Sequence, residues 1–135
     1  MARTNFENLR VYKLSEEIAD TIWAITLRCD YFNRDTIGKQ IVRSADSIGA
    51  NIAEGTERFG IQDNKRFVYF ARGSLNETKH WLRRAFKRNL LSEVEIEKVK
   101  LLLDELAPRL NAYINSLKMP PTTNNEQRAT IQKDA

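Results

Sequence analysis

The sequence predicts an all-α fold, an antiparallel four-helix bundle that runs up-down-up-down. The first observation is that the 135 residues include only 5 Gly and 3 Pro, the residues that most strongly mark turns and loops. The second is periodicity, since apolar residues recur at spacings of three and four along four long segments. The third is that the stretches between these segments are short, and short connections place sequential helices side by side in opposite directions.

The four helices are expected at about residues 8–29, 35–58, 62–89 and 93–118. Asn33 or Asp35 can cap the second helix by accepting from its free amide groups. Ser92 and Glu95 have the spacing of a capping box at the start of the fourth helix. Pro108 lies within that helix, where the continuing apolar period predicts a bend rather than an end.

These boundaries give one domain, residues 1–118, followed by a polar tail, residues 119–135, which we expect to be disordered. No apolar stretch approaches the ~20 residues that span a bilayer. The N-terminus lacks the apolar core of a signal peptide. The single cysteine, Cys29, excludes an intrachain disulfide. We therefore expect a cytoplasmic protein without a membrane partner.

Small residues crowd the second helix from Ser44 to Gly55, and they predict that neighbouring backbones come very close to it. Glycine in mid-helix costs about 1 kcal/mol relative to alanine, so Gly73 of the third helix is expected to have a packing reason and to meet this stretch. The residues assigned to this structural contact are Ser47, Gly49, Asn51, Glu54, Gly55, Gly73, Ser74 and Glu77.

Glu54 and Glu77 are the carboxylates of most interest, because both are expected beside small, partly buried helix faces. A buried carboxylate without a partner is costly, so we expect each to bond to Asn51, Ser74 or an arginine of an adjacent helix rather than to act in catalysis. One His and one Cys exclude an ordinary zinc site within the chain, and no Gly-rich phosphate loop is present. No metal, cofactor or enzymatic activity is expected.

The net charge of +4 is concentrated in one segment, since residues 63–91 hold eight Lys or Arg and two Asp or Glu. Spacings of three and four place the outward residues of the third helix on one face. A basic face in an otherwise balanced chain indicates an anionic partner, with nucleic acid as the first candidate and a merely solvated face as the alternative. The candidate nucleic-acid-binding residues are Lys65, Tyr69, Arg72, Lys79, Arg83 and Lys87.

The first helix carries two apolar stripes. The second stripe lies about 100° around the helix from the first and consists of Tyr12, Ala19, Trp23 and Leu27. A helix at the edge of a monomeric bundle needs only one apolar face, so the second stripe predicts a subunit interface. The alternatives are a wider core stripe, or an N-terminal segment that half covers Trp23.

Three segments, in this order, resemble the signatures of a known family: Phe6–Lys13 (FENLRVYK), Ser47–Gly55 (SIGANIAEG) and Phe67–Glu77 (FVYFARGSLNE). Over about residues 6–118 the chain resembles the bacterial four-helix-bundle family of 23S rRNA intervening-sequence proteins. Many members have Pro-Ser where this chain has Gly49-Ala50, which exchanges small residues for small residues. The chain is also similar to the accessory protein of diversity-generating retroelements.

The resemblance implies a protomer that assembles into a ring-like homopentamer. The retroelement accessory protein is a basic pentameric barrel that associates with reverse transcriptase and nucleic acid, so both become candidate partners. The family is named for the location of its genes within ribosomal RNA insertions, and it supplies no catalytic residue. The favoured hypothesis is a non-enzymatic oligomer that binds nucleic acid, ribosomal RNA included, or acts as a scaffold. The alternative is a protein–protein adapter that docks an acidic partner such as a polymerase.

Overall fold

The computed structural model of the protein describes residues 6–117, and all regular structure within this range is helical, with no strand. A 3₁₀ turn, Phe6–Asn8, precedes the first long helix. The four long helices are α1 (Arg10–Leu27), α2 (Lys39–Thr56), α3 (Ile61–Lys87) and α4 (Glu93–Ser116). The expectation of an all-α fold is confirmed, while the predicted tail, residues 119–135, lies outside the described residues.

The segment before α2 contains two short pieces of helix. Asp30 begins a single turn, Tyr31–Asn33, because its side chain accepts from the backbone N–H of Asn33 at 2.9 Å. The next five residues, Arg34–Gly38, have π-helical geometry and lead directly into α2. The prediction that Asn33 or Asp35 supplies the cap is therefore wrong, since helical structure starts before both residues.

The connection between α3 and α4 is closed at both ends by local hydrogen bonds. Asn89 has a left-handed φ of 59°, and the N–H of Leu90 donates to the carbonyl of Ala85 at 2.9 Å, which ends α3. Ser92 and Glu95 form the predicted capping box, with bonds of 3.2 and 3.0 Å. The fourth helix then continues through Pro108 to Ser116, as its apolar period predicts.

All four long helices contribute to one apolar core. Its members follow the three-and-four spacing of each helix, so each helix turns one face inward. The largest of the almost completely buried side chains are Val11, Leu14, Ile18, Ile22, Ile48, Ile52, Val68, Leu75, Leu103, Leu106, Leu110 and Tyr113.

The α2 helix makes close contact with both α1 and α3. A Cβ at Gly49 would lie 2.8 Å from the Ser15 hydroxyl of α1, and a Cβ at Gly55 would lie 2.6 Å from the Asn64 side-chain oxygen of α3. Real Cβ atoms essentially never approach so closely, so a side chain at either position would displace the neighbouring helix or its side chain. The small-residue stretch therefore has the packing role that its composition predicts.

A buried polar contact also joins α2 to α3. The hydroxyls of Ser44 and Thr78 lie 3.0 Å apart, and both residues are almost completely buried. Thr78 is also 2.8 Å from the carbonyl of Ser74, and Ser44 is 3.1 Å from that of Ile41, so each hydroxyl has a carbonyl acceptor within its own helix. Because no polar group of this contact is left without a partner, its burial carries little cost.

The expectation that Gly73 packs against α2 is wrong within the protomer. A Cβ at Gly73 would meet nothing within 4 Å, and the residue is exposed. The reason is the rotation of α3, whose buried face includes Asn64 and Val68, whereas Phe70 is 49% exposed.

Alanine at the two glycines should change stability in opposite directions. We expect Gly55→Ala to lower the free energy of unfolding by about 1–3 kcal/mol, because its methyl group overpacks the contact with α3. We expect Gly73→Ala to raise it by up to about 1 kcal/mol, because alanine is the better helix former and the space there is open. Urea unfolding at one fixed protein concentration measures both effects. A stabilised Gly55→Ala variant would contradict the close approach of α2 and α3.

Candidate nucleic-acid interface

The candidate interface is the side of α3 that borders α4, about 110° around the helix from its buried residues at 3.6 residues per turn. Lys65 and Lys87 mark its two ends, which lie about 33 Å apart at a rise of 1.5 Å per residue. We call the six predicted residues on this face the basic stripe. Lys65 is half-buried, and the other five are exposed: Tyr69, Arg72, Lys79, Arg83 and Lys87.

Two carboxylates near the start of α3 pair with cations outside the basic stripe. Asp63 accepts from Arg66 at 2.8 Å, and Glu54 accepts from Arg58 at 2.7 Å. Among residues 6–117, no carboxylate lies within ion-pair distance of Lys79, Arg83 or Lys87. No ion pair within this part of the chain therefore neutralises the positive charge of these three side chains.

Arg72 is held in place by two neutral neighbours. Its guanidinium carbon lies 4.8 Å from the centre of the Tyr69 ring, a cation–π distance, and its Nη1 donates to the Asn111 side chain of α4 at 3.1 Å. Both contacts orient Arg72 without cancelling its charge. They also place a cation over one face of Tyr69, so that face is not free to stack on a base. Asn111 was missed by the sequence reasoning, because only packing brings α4 beside α3.

The two carboxylates of the predicted structural contact are both exposed, which corrects the expectation that they lie at partly buried faces. Glu54 pairs with Arg58, four residues further along the chain, rather than with an arginine of an adjacent helix. Glu77 accepts from the indole N–H of Trp81 at 3.4 Å. Because both remain exposed to water, burial does not make either carboxylate costly or reactive.

The remaining members of the predicted contact make local interactions. Asn51 donates from its side-chain amide to the carbonyl of Ser47 at 2.8 Å, within α2. Ser74 is half-buried, and its carbonyl accepts from Thr78. Of the eight residues assigned to this structural contact, Gly49 and Gly55 are the two at which another helix leaves no room for a Cβ atom.

The structure divides the second apolar stripe of α1 into two parts. Tyr12 is half-buried and packs edge-to-face on Phe6, at 5.0 Å between ring centres, so it belongs to the packing of the protomer. Ala19 is also half-buried. Trp23 and Leu27 are 55% and 54% exposed, although both are large and apolar. They line a shallow groove with Val42 of α2.

Two carboxylates lie close together where α1 and α2 meet. Partial burial raises the pKa of Asp46, and the nearby negative charge of Asp20 raises it further. An acidic pair therefore lies across α1 and α2, the helices that also carry Trp23 and Val42. Its charge is opposite to that of the basic stripe.

In the part of the chain that the structure describes, no group of three or more His, Cys, Asp or Glu side chains is placed to hold a metal ion. Nor does any helix in this part have the length and apolar character needed to cross a membrane.

Comparisons with known proteins place these features in a family. The family model for 23S rRNA-intervening sequence proteins matches residues 7–112. A crystal structure from Bacteroides thetaiotaomicron, of a protein of unknown function in the S23 ribosomal protein family, is similar with a TM-score of 0.69 and 27% identity. The similarity covers 77% of this chain and 97% of that one. No curated protein matches the sequence. The chain belongs to the family of 23S rRNA-intervening sequence proteins.

Proposed function

We propose that the protein is a non-enzymatic, oligomeric nucleic-acid-binding or scaffolding protein that contacts phosphates through the basic stripe of α3. The observation that carries this proposal is the unpaired charge of Lys79, Arg83 and Lys87 on one exposed helix face. Clustered cations that no carboxylate neutralises produce a positive potential, which attracts a polyanion and releases its counterions on contact. The family name makes ribosomal RNA one candidate ligand.

The proposal includes an up-down-up-down arrangement of the four helices. The contacts between helices support it, because residue numbers rise along one helix as they fall along its neighbour. The contacting pairs are Thr26 with Gly38, Ser15 with Gly49, Ser44 with Thr78, Gly55 with Asn64, Arg10 with Glu105, and Arg28 with Glu95. In this arrangement α3 lies between α2 and α4 and keeps its remaining side free for a ligand.

The proposal also includes self-assembly, with a ring-like homopentamer as the form that the family resemblance implies. The exposed side chains of Trp23 and Leu27 support an interface on α1, because large apolar residues at a free surface gain most from being covered. Repetition of the basic stripe around a closed assembly would raise avidity for a long polyanion. A reducing, cytoplasmic setting is the proposed location, since Cys29 is the single cysteine.

A second candidate function is an adapter that docks an acidic protein, such as a polymerase or reverse transcriptase. It is favoured by the exposed apolar residues near the cations of α3, because protein interfaces combine apolar contact with charged rims. Phe86 is one example, at 40% exposure on the same helix, and it lines a groove with Lys79 and Arg83. Capture of one purified acidic partner that persists after nuclease treatment, and that is lost when Lys79 and Arg83 are reversed, would favour this function over the first.

Charge reversal of the basic stripe should weaken nucleic-acid binding and reduce its salt dependence. We expect the triple variant Lys79→Glu, Arg83→Glu, Lys87→Glu to lose the steep fall of affinity with salt. The slope of log K against log salt should decrease by about 2–3, because each lost phosphate contact removes about 0.7–0.9. Fluorescence anisotropy with labelled RNA at several salt concentrations measures both quantities.

The matched control reverses three exposed cations on other helices: Lys13→Glu, Arg43→Glu, Lys98→Glu. It changes the net charge by the same amount, so it separates the position of the charges from their sum. We expect this control to keep most of the salt slope of the parent protein. An unchanged slope in the α3 variant, or an equal loss in both variants, would show that the stripe is not the binding site.

Replacement of an exposed apolar side chain on α1 by a charged one should disrupt self-assembly. We expect Trp23→Glu to weaken the subunit contact by at least about 30-fold, because a covered tryptophan contributes about 2 kcal/mol or more and the new charge would be buried without a partner. Light scattering at a fixed protein concentration should show smaller assemblies for the variant than for the parent.

The matched control for this experiment is Val94→Glu, which adds the same charge at an apolar residue that is 79% exposed in the first turn of α4. This variant should assemble as the parent does. A parent protein that is monomeric at working concentration would contradict the proposed interface, and so would equal loss of assembly in both variants.

A further inference from the structure

A groove runs between α3 and α4 beside the basic stripe, and only two of its lining residues were predicted from the sequence as site residues. Its volume is about 490 Å³, within the range of small-ligand sites. Lys79 and Arg83 belong to both the groove and the stripe. The full lining is Lys79, Leu82, Arg83 and Phe86 from α3, with Ile96, Lys100, Leu103 and Asp104 from α4.

The floor and one wall of the groove are apolar. Leu82 and Leu103 are almost completely buried at its base, and Ile96 packs against the core beside them. Phe86 keeps 40% of its surface exposed, so part of its side chain is open to a ligand in the groove. A phosphate group gains nothing from such a floor, whereas the flat face of an aromatic ligand does.

The rim of the groove is cationic. Lys79 and Arg83 lie on one side and Lys100 on the other, and Asp104 is the single carboxylate among the eight lining residues. Within residues 6–117, none of the three cations forms an ion pair with a carboxylate. The groove therefore offers positive charge on both sides of an apolar surface.

We infer that this groove receives an unpaired base of a single-stranded nucleic acid, with Phe86 against the base and Lys79, Arg83 and Lys100 on the flanking phosphates. This inference rests on the proposed function and adds the strand preference and two residues, Phe86 and Lys100. A duplex keeps its bases stacked inside and presents mainly phosphates, so it would leave the apolar floor unused. A single strand presents both phosphates and base faces, which matches the two surfaces of the groove.

The apolar floor and the cationic rim together also favour a single-stranded nucleic acid over an acidic peptide. Carboxylate side chains would satisfy the cationic rim, but an acidic peptide has no planar ring at each charged unit to cover Phe86. Each nucleotide joins one charge to one flat base, so a strand that contacts the rim necessarily brings a base near the floor. Asp104 is tolerated in this arrangement because base amino groups and ribose hydroxyls can donate to it.

The test compares a 12-nucleotide oligouridylate with a 12-base-pair RNA duplex, by fluorescence anisotropy on the full chain. We expect the parent to bind oligouridylate more tightly than the duplex. Phe86→Ala should weaken oligouridylate binding by about 5- to 150-fold, the effect of losing one base–aromatic contact, and leave duplex binding within about twofold. Lys100→Gln should weaken binding of the single strand more than binding of the duplex.

Two further variants are controls, the first for the loss of the aromatic ring alone and the second for the position of the substitution. Phe86→Leu keeps an apolar side chain but removes the ring, and it should lose binding of the single strand as Phe86→Ala does. Phe59→Ala removes a fully exposed phenylalanine from the connection between α2 and α3, outside the groove, and it should bind oligouridylate as the parent does. Circular dichroism melting curves establish that each variant is folded.

The outcomes separate this inference from the proposed function. If Phe86→Ala and Phe86→Leu bind oligouridylate normally while reversal of the stripe weakens binding, the groove inference is overturned and the basic stripe remains the site. Equal losses for single strand and duplex also overturn it. Tighter binding of a 12-residue polyglutamate than of oligouridylate overturns it in favour of a protein partner. Absence of binding to either RNA overturns both this inference and the proposed function.

Discussion

The close approach of α2 to its two neighbours is the constraint on which the rest of the structure depends. At Gly49 and Gly55 there is no room for a Cβ atom against α1 and α3. A hydrogen bond between the buried hydroxyls of Ser44 and Thr78 also joins α2 to α3. Glycine permits a short distance between the helices, and the hydroxyl pair adds one hydrogen bond that forms at a single relative position along them. Together they fix both the spacing and the rotation of α3.

The rotation of α3 determines what the protein presents to its surroundings. With Val68, Thr78 and Leu82 turned inward, the side of the helix that borders α4 stays open to solvent, and it carries the cations of the basic stripe. The same rotation leaves Phe86 at the border with α4, where it meets a rim of positive charge. The close packing of α2 against α3 therefore determines where the charged side chains of α3 lie, although no residue of α2 lines the groove. The large apolar side chains that remain exposed on α1 belong to a separate surface, and its proposed role is assembly.

Much of this architecture could be predicted from the sequence, because it depends on local rules. The helical period, the capping box at Ser92 and the lack of bulk around Gly49 and Gly55 are each visible in a short stretch of residues. The prediction from the sequence was wrong where contacts between helices decide which face of a helix is buried. Gly73 was expected to pack against α2, but the buried face of α3 is turned toward Val68, so Phe70 stays 49% exposed and Gly73 faces open space. The groove could not be found from periodicity, because half of its lining comes from a helix that meets α3 only in the folded chain.

The central claim is that the packing of α2 turns the cationic side of α3 outward as a surface for nucleic acid. Ultraviolet crosslinking of bound oligouridylate, followed by mass spectrometry of the crosslinked peptides, tests this claim most directly because it locates the contact without any mutation. Our account predicts crosslinks to the outer side of α3 and to the facing edge of α4. Crosslinks confined to α1, or to the exposed aromatic residues Tyr31 and Phe32 before α2, would contradict it.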